Sequence, residues 1–208
     1  RSLVNLIDEA GLVKHGQGDA IVLFSCFVNT IGDGYFPHVY RSTPGSELLK
    51  HEIIARINMA QFEPAVYRHV NQFVYLCGTV IFRVVDGKPH LRIFLNQEED
   101  VLKRGEDFIA PQMMFTLAGT KFKDIYWPPN APGHEGVASV ALGVDATGKV
   151  TSVKVTYEHP AGMGFGAAVA GPIRDADFIP GYRKGQPVAC HFDLPFIFFG
   201  PGLQMKTG

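Results

Sequence analysis

Three cysteines, eight histidines and one glycine-rich loop are where chemistry would have to reside in this sequence. Cys26, Cys77 and Cys190 form no Cys-x-x-Cys pair, and the histidines show no His-x-x-x-His spacing. Zinc needs such ligands at close, regular spacing, so no metal site is expected. Each cysteine falls in an apolar run and reads as a buried structural thiol. His191 and Asp193 share one face of a strand and could hydrogen-bond, as a surface pair rather than a catalytic dyad. No serine sits in a Gly-x-Ser-x-Gly elbow. Gly162-Met163-Gly164-Phe165-Gly166 has the composition of a phosphate-binding loop, whose backbone N–H groups would approach an anion at a helix N-terminus. Its antiparallel context is wrong for that role and no Lys-Ser or Lys-Thr follows, so a tight strand-to-helix turn explains it. No catalytic residue and no cofactor are assigned.

The whole chain sets outer limits. At 208 residues, 46% hydrophobic and 19% charged, it can bury a sizeable core. The net charge of −1 gives no electrostatic case for nucleic acid or an anionic membrane. No apolar run approaches the roughly 20 residues of a membrane helix. A first residue of Arg1 rather than Met is expected of a processed or cut protein.

The elements follow from periodicity. Val137 to Val144 alternates, with Ala138, Val140, Leu142 and Val144 on one face. Asp145-Ala146-Thr147-Gly148-Lys149 supplies a turn, and Val150 to Tyr157 returns with Val153 and Val155 inward. Ala161 to Ala170 can hold about two helical turns. Phe178-Ile179-Pro180-Gly181 leads to a last strand, Val188 to Phe199, with Val188, Cys190, Phe192, Leu194, Phe196 and Phe198 inward. The order is strand, turn, strand, helix, strand.

That order, with Gly136 and Val144, Asp145-x-x-Gly148-Lys149-Val150, Phe178-x-Pro180, Gly185-x-Pro187-Val188 and Leu194-Pro195-Phe196-x-Phe198, resembles the C-terminal domain of TonB-type energy transducers. Trp127-Pro128-x-x-Ala131 is similar to the aromatic-Pro-x-x-Ala that leads into that domain, and Gly-Phe residues before the helix occur there too. The resemblance implies a non-enzymatic, periplasmic domain. In that family the edge strand takes an extended peptide of an outer-membrane receptor by strand addition. The partner-binding stretch carried over is Val188, Ala189, Cys190, His191, Phe192, Asp193 and Leu194. Pro195 supports an edge placement. About five or six added backbone bonds at ~0.5–1.5 kcal/mol each would contribute roughly 3–9 kcal/mol. Association costs at least ~4 kcal/mol, so binding by backbone alone is weak. The membrane anchor and proline-rich spacer of energy transducers do not appear in these residues.

A shift of 116 residues reproduces the pattern without a gap. Val28 falls on Val144, Gly32 on Gly148, Val39 on Val155, Ile57 on Ile173, Phe62 on Phe178, Pro64 on Pro180, and Ile81-Phe82 on Ile197-Phe198. Residues 18–84 are therefore expected to repeat the ββαβ unit. Ser46 is placed as the cap of its helix, with Leu48, Leu49, Ile53 and Ile57 as the apolar stripe. In its sheet Val22, Phe24, Cys26 and Val28 face the helix, while Ile21, Leu23, Phe27, Phe73, Tyr75 and Cys77 face the other way. Cys26 and Cys77 then lie on opposite faces, and three free thiols are expected. The second apolar face needs a cover: the N-terminal helix, the second repeat or a partner.

The expected fold is α+β: two tandem ββαβ units, each a three-stranded antiparallel sheet with one helix on a face, plus an extra hairpin strand and an aromatic-rich connector. The extra strand, Leu91 to Leu95, follows an Asp86-Gly87 turn. The divisions are residues 1–17 (a helical cover, Ser2 to Ala10, ended by Gly11), 18–95 (first repeat with the extra strand), 96–132 (an ordered connector, with a short helix within Asn96 to Gly105) and 133–208 (second repeat). The function read from these residues is a periplasmic interaction module binding an extended segment of an envelope protein, such as an outer-membrane receptor. The alternative is a small apolar or aromatic ligand held in a cleft between the repeats by Phe73, Tyr75, Phe115, Tyr126 and Trp127.

Overall fold

A computed structural model describes residues 1–115, 125–131, 133 and 135–199. Phe122 and the rest of residues 116–124, part of the expected connector, lie outside the described residues. The fold is α+β, and the chain divides into two units, Arg1–Leu117 with Tyr182–Gly185, and Ala118–Gly181 with Gln186–Gly208.

In the first unit α1 (Glu9–Lys14) precedes β1 (Ala20–Val28), β2 (Gly34–Ser42) and α2 (Glu47–Ile57). A hairpin, β3 (Ala65–Tyr67) and β4 (Val70–Gln72), leads to β5 (Val74–Val85) and β6 (Lys88–Leu95). Then come α3 (Glu99–Lys103), β7 (Phe108–Ile109) and β8 (Gln112–Met114). The strands β2, β1, β5 and β6 lie side by side, all antiparallel. Val22, Phe24, Cys26 and Val28 stand opposite Val80, Gly78, Leu76 and Val74. They pack beneath Leu49, Ile53 and Ile57 of α2, which are fully buried. Gly78 is required there, because a Cβ would lie 2.5 Å from the Phe24 ring.

Three local expectations are corrected. Gly11 lies inside α1, not at its end: Asp8 is the cap, accepting from Gly11 N at 2.9 Å, and a Cβ on residue 11 would strike that carboxylate. Ser46 does not cap α2, since its hydroxyl donates to Thr43 O at 2.7 Å. The α2 N-terminus is served instead by buried Gln17, whose Oε1 accepts from Leu49 N at 2.9 Å and whose Nε2 donates to Gly45 O at 3.0 Å. Leu48 is 42% exposed and leaves the stripe to Leu49, Ile53 and Ile57.

The first unit covers its own second apolar face. Thr79 donates to Gln97 O at 2.7 Å, Arg41 pairs with Glu98 at 3.7 Å, and Phe115 packs on Phe27 and Phe73. The segment after β6 is thus folded back over this face. The helix α1 packs against β6 beside α2, where Asp8 N donates to Glu52, so it caps the first face rather than the second.

The second unit has β9 (Glu135–Val144), β10 (Val150–His159), α4 (Phe165–Ala170) and β11 (Asp177–Ile179). After β12 (Gly181–Arg183), whose Tyr182 and Arg183 belong to the first unit and pair within it with Ile109 and Phe108 of β7, come β13 (Gln186–Val188) and β14 (Cys190–Phe199). The sheet order is β10-β9-β14. Phe165, Ala168 and Val169 of α4 are fully buried over Ala138, Val140 and Leu142.

Contacts in the two units recur at positions 116 apart. Asn29 N donates to Asp33 O at 3.0 Å, as Asp145 N does to Lys149 O at 2.9 Å. Asn29 Oδ1 accepts from Ile31 N and Asp33 N, as Asp145 Oδ1 does from Thr147 N and Lys149 N. Phe62 N donates to Gly32 O, and Phe178 N to Gly148 O, both at 2.9 Å. Ala20 opposes Phe82 as Gly136 opposes Phe198, and the pairing runs in step to Val28–Val74 and Val144–Cys190.

Candidate functional site

The residues expected to bind a partner lie at the end of the second unit's sheet. Their strand starts later than expected: Val188 closes β13, Ala189 intervenes, and β14 begins at Cys190. β14 pairs with β9 from Cys190–Val144 to Phe199–Glu135 and is the terminal strand of the β10-β9-β14 order among the described residues. A proline in a paired strand sits where its missing N–H falls outside the ladder. N–H groups two residues apart point the same way, so those of His191 and Asp193 lie on the side where Pro195 has none.

The two halves of β14 differ in burial. Leu194, Pro195 and Phe196 are buried in succession, and Phe198 packs on Phe165 at 5.0 Å between ring centres. His191 and Asp193 are exposed on the outer face opposite Gly143 and Ala141. A Cβ on Gly143 would come within 3.2 Å of His191 Nε2, so the imidazole leans over the central strand. His191 and Asp193 share a face, but no hydrogen bond joins them among the described residues. Opposite them across β9 stand Ser152 and Lys154 of β10. The outer face is a shallow trough floored by Gly143 and Ala141, with polar walls of both charges.

The corresponding strand of the first unit, β5, is closed on that side. β6 pairs with it from Gly78–Leu95 to Val85–Lys88, and over the counterparts of Cys190–Asp193 the edge is met by Asn96, whose N–H donates to Cys77 O, and by Met114 of β8, which pairs with Val74. The hairpin is turned by Asp86 and Gly87 at φ +50° and +73°, the backbone that an Asp-Gly pair adopts readily.

The glycine-rich loop has an occupant that the sequence reading missed. Glu158 accepts from Gly162 N at 2.6 Å and Gly166 N at 2.7 Å. The loop is an anion nest at the start of α4, and the anion is the chain's own carboxylate, held below its ordinary pKa first by the Gly166 N–H. The signal available in sequence is a lone acid four residues ahead of the first glycine. Burial pushes the Cys26 thiol up to about 12 and the Cys77 thiol up as well, which disfavours the reactive thiolates. None of the three cysteines is in a disulfide, and Cys26 and Cys77 lie on opposite faces of one sheet.

The aromatic residues read as ligand candidates fall into two groups. Phe73, Tyr75 and Phe115 surround Phe27 in the first unit, with ring centres 5.1–5.9 Å from it. In the second unit Trp127 packs edge-on against Phe165 at 5.2 Å and its indole N–H donates to Ala131 O, while Tyr126 is 51% exposed.

Residues 130–199 match the family described as Gram-negative bacterial TonB protein C-terminal. That stretch spans 70 of the 208 residues and takes in all of β9, β10, α4 and β14. The second unit is TonB C-terminal-like, in agreement with the sequence motifs. No curated protein and no solved structure is found to match the chain. Among the described residues no helix is long and apolar enough to cross a membrane.

Proposed function

We propose that this chain is a periplasmic protein-interaction module built from two copies of the TonB C-terminal-like unit, residues 18–95 and 133–208. Only the second copy retains a strand that accepts a partner. The partner is an extended segment of an envelope protein, of the kind an outer-membrane receptor carries, added along Cys190–Leu194. His191 and Asp193 select it through side chains, and no catalytic step is involved. The observation that carries this reading is the contrast between equivalent strands: the β5 edge is met by Met114 at Val74, by Asn96 N at Cys77 O and by β6 from Gly78 onward, whereas β14 ends its sheet's order among the described residues, inside the stretch that matches the family. Duplication is supported by the turn, helix-exit and strand-pairing contacts that recur 116 residues apart.

The test is capture from envelope extract with wild-type protein and with Asp193→Pro, which removes a donor on the same side as Pro195. Trp127 fluorescence checks that the variant is folded. Loss of the captured partners supports strand addition. Unchanged capture by folded Asp193→Pro contradicts it, and capture that instead responds to substitution of Tyr126 or Trp127 points to the aromatic ligand reading.

A further inference from the structure

The first unit contains a hollow that the repeat relationship explains. A cavity of about 110 Å³ opens beyond the C-terminal end of α2, walled by Val28, Phe62, Val74, Leu76 and Leu95 and rimmed by Glu63, Asn96 and Gln112. At the positions 116 residues on, Leu76 is replaced by Phe192, whose ring meets Phe178 edge-on at 6.0 Å. The smaller Leu76 side chain leaves that space open in the first unit. The rim is polar and unspent: the side chains of Glu63, Asn96 and Gln112 make no hydrogen bond or ion pair among the described residues. Apolar cavities of this order hold small organic molecules, with a volume of about 150 Å³ taking a benzene ring.

The geometry points to a binding site for a short alkylammonium group, its chain of about three to five carbons on Val28, Val74 and Leu76 and its charged end against Glu63. Three features select this class. The walls are aliphatic apart from Phe62, which fits a flexible methylene chain. The single charged side chain at the mouth is a carboxylate, which fits a cation and repels an anion. The amide oxygens of Asn96 and Gln112 add acceptors for the two ammonium protons that one carboxylate contact leaves over. The site is independent of the β14 reading, since it uses none of its residues.

The test uses the full chain and methyl NMR of Val28, Val74, Leu76 and Leu95, titrated with n-butylammonium, n-butanol and butyrate at matched ionic strength. Butylammonium is expected to shift these methyls saturably, with a dissociation constant on the order of 1–10 mM for so small a ligand. Butanol binds about fivefold more weakly, the scale of one partly exposed ion pair, and butyrate does not bind. Glu63→Gln brings butylammonium down to the butanol level, and Leu76→Phe abolishes binding by rebuilding the ring found at Phe192. The same group occurs on free amines and on lysine side chains. An end-blocked Gly-Lys-Gly peptide binding more tightly than butylammonium identifies lysine as the source, and weaker binding identifies the free amine. The proposal is overturned if the methyls do not shift up to about 50 mM. Butyrate binding as well as butylammonium, or Glu63→Gln leaving affinity unchanged, overturns it equally, and Glu63 is a surface position whose substitution does not threaten folding.

Discussion

Phe178 donates its backbone N–H to the carbonyl of Gly148 at 2.9 Å, tying the turn between β9 and β10 to the segment that leaves the helix. A Cβ on residue 148 would sit 1.9 Å from Phe178 O, and the backbone there has φ +88°. Gly32 and Phe62 reproduce this closure in the first unit, at φ +92° and 2.1 Å. Gly148→Ala and Gly32→Ala are each expected to cost more than about 2 kcal/mol, because a left-handed backbone alone costs ~1–2 and the clash is with main chain. Gly87→Ala, at φ +73° with nothing within 4 Å, is expected to cost only the first part. Urea denaturation of the three variants checks the ordering.

Glu158 links stability to acidity. Its folded pKa is depressed below the ordinary 4.5, chiefly by the Gly166 N–H. Its contribution is therefore complete above that unfolded value and is lost as pH falls through the lower folded one. Wild-type protein should lose more stability than Glu158→Gln on acidification from neutrality to below pH 4.5, and the two should converge at the acid end. Thermal melts across pH measure this, and parallel curves would remove Glu158 from the nest.

Gln17 is a buried side chain that serves a helix from outside it. Gln17→Ala leaves the Leu49 N–H without its acceptor, at an expected cost of about 1–3 kcal/mol for a buried unsatisfied donor. Gln17→Glu keeps the acceptor but sets a buried carboxylate against Gly18 O and Gly45 O, so at neutral pH it should cost at least as much as Gln17→Ala in chemical denaturation.

Trp127 is the sole tryptophan and packs on Phe165, which is fully buried. Its fluorescence therefore follows the second unit. Phe165→Ala should lower the midpoint of the Trp127 transition by an amount corresponding to about 3–5 kcal/mol. Phe24→Ala, in the other unit, should act on far-UV circular dichroism more than on Trp127 emission.

Much of this architecture was legible because strand and turn chemistry are local. Alternation from Val22 to Val28 and from Val137 to Val144 gave the faces of both sheets, and Asp86-Gly87 gave the hairpin. The shift of 116 residues could be found because turn glycines and the Phe-x-Pro after each helix have duties that few other residues fill. What escaped the sequence depends on partners distant in the chain. Gln17 displaces Ser46 as the cap of α2 from 32 positions away. Asp8 turns Gly11 from an expected helix stop into a residue chosen for its lack of a side chain. The late start of β14 at Cys190 and the cover that follows β6 are likewise tertiary facts, invisible to period and propensity.

Amide hydrogen exchange along β14, followed as a captured envelope partner or a peptide from its extended segment is added, tests strand addition most directly. The account predicts that exchange slows at His191 and Asp193, on the side where Pro195 has no N–H, while β5 beneath β6 is unchanged. Protection appearing elsewhere, with His191 and Asp193 exchanging as before, would contradict it.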